Sequence, residues 1–268
     1  MRALMKVGFS LLVLAVVLVA LSYSMLRASG TSIALEGREV GHDSRTISDG
    51  VRAVDLDGPI HLNLRQGATA SLQLSGEQRM LGNVEISDDG KVLHIGIRGM
   101  VLRHREPLAI DLVLPALEAV TIDGSGDNTV NGFSGEAIAI GLNGSGSLRF
   151  NGRYRQVNIG LTGSGDLDVN GGAAIERIET SLMGSGRITV AGNARELDAR
   201  MTGSGNLDAE HLRAEDVTVS QTGSGDSAVQ ARGKVRVTLS GSGDVEVHGN
   251  PGERSVSRVG SGSVTYID

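Results

Sequence analysis

The sequence predicts an all-β protein, a parallel β-helix (solenoid) with coils of about 20 residues, and three observations carry that reading. The tripeptide Gly124-Ser125-Gly126 recurs with first glycines at Gly144, Gly163, Gly184, Gly203, Gly223, Gly241 and Gly260, eight copies at steps of 18 to 21 residues. The matching third glycines are Gly146, Gly165, Gly186, Gly205, Gly225, Gly243 and Gly262. Around each copy apolar and polar residues alternate, as in Val157-Ile159-Leu161 before a tripeptide and Leu167-Val169 after one. Period two is the mark of a strand with one buried face. Composition is the third observation: 39 glycines, 2% aromatic residues and no cysteine in 268 residues suit a slender stack filled by aliphatic side chains, without disulfides or thiolate metal sites.

The chain opens with Arg2 and Lys6 ahead of an apolar run over residues 7–26. Residues 1–30 are expected to be a secretory signal, with Ala28-Ser29-Gly30 as small cleavage-site residues, or a retained membrane anchor helix. Basic residues before the run keep the N-terminus cytoplasmic and send the rest of the chain outward. Residues 31–45 are polar and aperiodic and read as a linker. The expected location is therefore periplasmic, or anchored in the inner membrane with the domain outside the cytoplasm. Without Arg2, Lys6 and Arg27 the net charge of −6 becomes −9, and no basic stripe marks the repeats, so nucleic acid is excluded as a partner.

Residues 46–115 form an N-terminal β region without the tripeptide. Ile60-Leu62-Leu64, Leu72-Leu74, Leu93-Ile95-Ile97 and Leu108-Ile110-Leu112-Leu114 alternate with polar neighbours, and Asp88-Asp89-Gly90 is a hairpin signal. These strands are expected to cover the edge of the first coil. Residues 116–268 form the Gly-Ser-Gly β-helix. Each coil is expected to be two short strands, joined at the glycine corner and at a second corner written Asn131-Gly132, Asn151-Gly152, Asn170-Gly171 or Ala191-Gly192. The tripeptide is read as structural: glycines for a bend at positive φ and for close stacking, serine for a hydroxyl bonded to the bend's backbone.

The run Leu108-Ala109-Ile110-Asp111-Leu112-Val113-Leu114-Pro115-Ala116-Leu117, followed by Val120-Thr121-Ile122-Asp123-Gly124-Ser125-Gly126-Asp127, resembles the junction of the putative auto-transporter adhesin, head GIN domain family. Leu62-Asn63-Leu64-Arg65-Gln66-Gly67, Gly241-Ser242-Gly243-Asp244, Gly249-Asn250-Pro251 and Gly260-Ser261-Gly262 extend the resemblance. It implies a right-handed parallel β-helix of the bacterial cell envelope, with no established enzymatic activity. An autotransporter needs a C-terminal membrane barrel, whereas here the solenoid pattern runs to Asp268, so self-translocation is not expected.

Candidate chemical sites are few. The residue after each tripeptide forms a column, Asp127, Ser147, Asp166, Arg187, Asn206, Asp226, Asp244 and Ser263, in which Asp226 and Asp244 are the tempting Ca²⁺ ligands. Arg187 in the column and a step twice that of calcium-binding nonapeptide repeats favour a solvated edge. His42, His61, His94, His104, His211 and His248 show no metal-ligand spacing, and no nucleophile, base and orienter are grouped. No catalytic residue, cofactor or metal is expected. The function expected is a non-enzymatic, adhesin-like binding or structural module, monomeric or a small oligomer, recognising an envelope polysaccharide or protein and attached to the membrane by its N-terminal segment. A polysaccharide-active β-helix enzyme and a self-assembling scaffold are the alternatives, and scarce aromatic rings argue against sugar stacking.

Overall fold

The computed structural model of the chain describes residues 39–99 and 107–267. The expected signal or anchor segment, and residues 31–38 of the expected linker, lie outside the described residues. No helix among the described residues is long and apolar enough to cross a membrane.

The described residues are 74% strand and form a β-solenoid of about seven turns. In chain order the strands are β1 (Val40–Arg45), β2 (Ala53–Asp57), β3 (Ile60–Gln66), β4 (Ser71–Glu77), β5 (Val84–Asp88), β6 (Val92–Ile97), β7 (Leu108–Leu114), β8 (Ala119–Gly124) and β9 (Asp127–Gly144). They continue as β10 (Ser147–Gly163), β11 (Asp166–Asn170), β12 (Ile175–Gly184), β13 (Arg187–Gly203), β14 (Asn206–Gly223), β15 (Ser227–Gly241), β16 (Val245–His248), β17 (Glu253–Gly260) and β18 (Val264–Ile267), with a single turn of helix, α1 (Gln78–Leu81), after β4. From β8 onward every neighbouring pair is parallel, with like positions in register: Leu148 lies beside Leu167, Leu167 beside Ile188 and Ile188 beside Leu207.

The N-terminal region is more regular than its sequence pattern suggests. β2 lies between β6 and β8, and β3 between β7 and β9, all in parallel, so these strands are themselves coils, threaded out of sequence order. Covering the N-terminal end falls instead to three antiparallel strands, β4 on β7, β1 on β4 and β5 on β6. The Asp88-Asp89-Gly90 hairpin is as expected, with Gly90 at φ +87 and Asp89 Oδ1 accepting the Lys91 and Val92 amides. These two bonds hold the Asp89 carboxyl below its ordinary pKa.

Two expectations need correction. Residues 40–45, read as linker, form β1; its alternation is exposed and half-buried throughout, because an edge strand held by backbone bonds to β4 needs no apolar face. The second corner does not divide most coils. β9, β10, β13, β14 and β15 are single strands of 15 to 18 residues that run through it, with the register shifting there at Asn151/Gly152, Thr189/Gly192 and Ala209/Arg213. Only the coils at residues 166–184 and 245–260 break into two strands.

One core cluster runs from Ile47 to Val247. Each coil adds a layer of Val, Ile and Leu, and each fully buried side chain stabilises by about 1.5–3 kcal/mol. Three of the buried polar residues, Gln221, Ser227 and Asn128, enter the core with hydrogen-bond partners, whereas the Thr180 hydroxyl has none. Gln221 and Ser227 replace apolar residues of neighbouring coils, and Ser227 Oγ lies 2.5 Å from Gln221 Oε1 while Gln221 Nε2 donates to the Gly225 carbonyl. Buried Asn128 joins β3 to the first corner, accepting from the Leu62 amide and donating to the Gly126 and Ser147 carbonyls.

Candidate functional site

The first corner is built by backbone. The Gly144 carbonyl accepts both Ser164 N (2.9 Å) and Gly165 N (3.1 Å) of the next coil, and the Gly184 carbonyl accepts Ser204 N (2.9 Å) and Gly205 N (3.0 Å). The two glycines of the tripeptide do different things. The first, as in Gly203 at φ +125, has the left-handed backbone; the third, as in Gly205, does not. A Cβ at either would come within 3.0 Å of the carbonyl oxygen one coil below. Gly124 departs from its column, having no positive φ and stacking on Gly58 instead.

The serines differ from expectation. All eight are exposed, their amides rather than their hydroxyls serve the corner, and the one hydroxyl bond among them within the described residues is Ser261 Oγ to Ser242 Oγ at 3.2 Å.

The column beside the tripeptides is a hydrogen-bond ladder. Asp226 Oδ1 accepts the Asp244 amide at 3.0 Å, and Asp244 Oδ1 accepts the amide and hydroxyl of Ser263 at 2.8 and 2.7 Å. Asn206 Oδ1 takes the Asp226 amide, and Asp127 Oδ1 the Ser147 hydroxyl. The two Ser263 bonds hold the Asp244 carboxyl below its ordinary pKa of 3.8. These oxygens face neighbouring coils rather than one another, and the groups of clustered metal-ligating atoms lie elsewhere.

Two hollows of about 720 Å³ indent the described residues, one beside β2, β5 and β6 and the other at the second corner. In the coil at 166–184, residues 171–174 leave the sheet, with Gly172 at φ +79, and the step opens a cavity of about 720 Å³. Its walls include Arg153, Arg155, Asn193, His211 and Arg213 from the coils on either side. A smaller hollow of about 460 Å³, reaching Gly132, shares Arg153, Asn170 and Gly172 with this cavity, so the two form one groove along the solenoid axis. Asn151 lines its far end and donates through Nδ2 to Asn131 Oδ1 at 2.9 Å.

The cations of this groove are of two kinds. Arg155 is paired with Glu176 and, at 3.8 Å, with Glu136, which raises its pKa. Arg153 and Arg213 are exposed, and among the described residues neither has an ion pair or side-chain hydrogen bond. The floor is rigid: Tyr154 is buried, its hydroxyl donates to the Leu117 carbonyl at 2.7 Å, and burial and then the Glu118 charge push its pKa up to about 12.

At the C-terminal side of the groove lies a cluster that linear spacing hides. Glu210, Glu246 and His248 bring one ligand atom each to within 4.8 Å of the others, and Asp208, Glu210 and His211 do the same. The expectation that the histidines lack ligand spacing is thus corrected for His211 and His248. Asp208 and Glu246 share a column with Ala228 between them, whereas His248 stacks on Gln230 and Arg213 and meets Glu210 only because Glu210 sits in the bulge between Ala209 and Arg213.

The sequence matches the family described as putative auto-transporter adhesin, head GIN domain, over residues 51–251. Among solved structures it is similar to a putative adhesin from Parabacteroides merdae (22% identity, TM-score 0.78, covering 86% of this chain and 97% of that one). A putative adhesin from Parabacteroides distasonis is similar too (23%, TM-score 0.78, 85% and 97%), as is a putative lipid binding protein from the same organism (19%, TM-score 0.75, 86% and 97%). At these identities the likeness shows the fold. The comparison with curated proteins returns no match. A match that spans the out-of-order N-terminal coils and all but the last turn of the Gly-Ser-Gly stack makes this chain a member of the putative auto-transporter adhesin, head GIN domain family.

Proposed function

We propose that the chain is an exported, non-enzymatic binding module of the cell envelope whose second-corner groove takes an extended acidic polysaccharide. The observation that carries this is the pair of exposed guanidinium groups, Arg153 and Arg213, that line the same cavity without a carboxylate partner among the described residues. In a chain of net charge −6, an uncompensated pair of guanidiniums around a cavity is a place for ligand anions. Arg suits carboxylate groups because its planar fork donates two parallel hydrogen bonds. Asn170 and Asn193 supply neutral donors and acceptors between them for sugar hydroxyls.

An acidic glycan also fits the scarcity of aromatic rings, since recognition rests on charge rather than stacking. The membership in an adhesin-like family supports a binding role, and the apolar basic-led segment at residues 1–30 supports export. An acyl chain would find few hydrophobic side chains here: Tyr154, Ala173 and Ala174 stand among three arginines, two asparagines, Glu210, His211 and Gln230, whereas sites for apolar molecules are lined mainly by hydrophobic side chains.

The test is binding of the chain to polygalacturonate and to neutral dextran, with Arg153→Gln and Arg213→Gln combined. Saturable, salt-sensitive binding to the acidic polymer alone, reduced at least tenfold in the double variant, is the expected result. Equal binding to dextran, or an unaffected double variant, would refute the reading.

A further inference from the structure

We infer that Glu210, Glu246 and His248 form a binding site for a divalent transition metal of the Zn²⁺ class, with Asp208 and His211 completing its surroundings. His248 Nε2 lies 3.5 Å from Glu210 Oε1 and 3.9 Å from Glu246 Oε2. Donor atoms around a tetrahedral ion with bonds of about 2.0–2.2 Å stand about 3.4 Å apart, so these separations leave room for one ion among the three groups with only small side-chain movement.

A second observation points the same way. His248 Nε2 is inaccessible to solvent and has no hydrogen-bond partner, although two carboxylates face it. Such a nitrogen is ordinarily satisfied by a donor, an acceptor or a metal, and an imidazole nitrogen with carboxylate oxygens around it is a donor set for Zn²⁺. The mixed nitrogen and oxygen set separates this site from the all-oxygen arrangement that Ca²⁺ requires.

The fold assembles the cluster in two steps. β14 carries a bulge between Ala209 and Arg213 relative to β15, so Glu210 and His211 fall where the ladder is broken; bulges commonly re-aim side chains beside functional sites. Between Asp208 of β14 and Glu246 of β16 the register places Ala228 of β15. Its short side chain leaves open the space across which residues two coils apart, about 9.6 Å at the backbone, reach one another.

The experiment is isothermal titration of tag-free, full-length chain in detergent with ZnCl₂ after EDTA treatment, repeated with CoCl₂ to read visible absorption. One equivalent of Zn²⁺ is expected to bind, with Co²⁺ giving the intense bands of a low-coordinate site. His248→Gln should abolish that equivalent, and Glu210→Gln and Glu246→Gln should each weaken it at least tenfold. Circular dichroism in EDTA is expected to be the same for all four proteins, which separates loss of ligand from loss of fold. Absence of saturable Zn²⁺ binding, or binding that persists unchanged in His248→Gln, would overturn the site. The outcome is independent of polysaccharide binding, which is read with Arg153 and Arg213 substituted.

Discussion

At the scale of single residues, the repeated tripeptide divides its labour between its two glycines. Gly203 needs both a left-handed backbone and the absence of a Cβ, whereas Gly205 needs only the absence, since a Cβ there would meet the Leu182 side chain and the Gly186 carbonyl oxygen, the latter at 2.5 Å. Gly205→Val is therefore expected to destabilise through collision, not through φ. Gly203→Ala should cost more than about 1–3 kcal/mol, the scale of a strained backbone, before the collision is added. Gly82, at φ −68 with nothing within 4 Å of its virtual Cβ, is the control: Gly82→Ala should be neutral or stabilise by up to about 1 kcal/mol. Chemical denaturation of the three variants checks the order. Tyr154→Phe tests the groove floor in the same way. Loss of the buried hydroxyl strands the Leu117 carbonyl and should cost about 1–3 kcal/mol, and an unchanged unfolding midpoint would show that water replaces the bond.

Elements of the solenoid are joined by side-chain ladders as well as by backbone, and the Asp226-Asp244-Ser263 ladder is the one with a pH signature. The Asp244 carboxyl has a folded pKa below its ordinary 3.8 because the ionised form accepts from Ser263. A depressed folded value means stabilisation that is fully present above the ordinary value and is lost as pH falls through the folded one. Asp244→Asn should therefore be less stable than the parent at neutral pH, with the difference closing as pH falls below 3.8 and through the lowered folded value in thermal unfolding. A difference that is constant with pH would mean that the charge is not what Ser263 reads. Because Asp226 Oδ1 and Asp244 Oδ1 are already occupied by amides, Ca²⁺ should leave the midpoint unmoved, and Asp226→Ala with Asp244→Ala should not create or remove a calcium effect.

The same ladders explain which parts of the site were legible. A step of 18 to 21 residues and period-two alternation suffice for the coil, because both follow from the geometry of one layer. The second-corner groove was not legible, since it opens where Gly171-Gly172-Ala173-Ala174 fails to stay in the sheet, a local loss that the Asn-Gly pattern does not distinguish from its neighbours. The His248 cluster was legible only in part. Asp208 and Glu246 share an offset from their own tripeptides and fall in one column, but Glu210 meets His248 through a bulge that neither offset nor linear spacing records. β1 was hidden for a different reason, having no buried face for a pattern to record.

For the whole molecule, the question is what stops a parallel stack from adding another copy of itself. At the N-terminal side the antiparallel strands β1, β4 and β5 end the parallel register. At the other side β17 pairs with β15 alone, and all eight of its residues are exposed, including Val256 at 46% and Val259 at 70%. Its register places Arg254 beside Val235 and Arg258 beside Leu239, so charges stand at two positions that earlier coils fill with core residues. Both arginines are tied within the last turns: Arg254 lies 4.3 Å over the Tyr266 ring and bonds Asn250 and Pro251, and Arg258 donates to the Gly262 carbonyl. An incoming strand would have to bury these guanidiniums or break those bonds, and inward-pointing charge is a known guard against edge pairing. The parent chain is accordingly expected to remain monomeric or a small oligomer. Deleting residues 249–268 would bare Val235, Val237 and Leu239, and Arg254→Val with Arg258→Leu would turn the last layer into one more apolar layer. Both changes are predicted to promote concentration-dependent self-association in light scattering. Filaments formed by the parent chain itself would instead make end-to-end assembly its leading function.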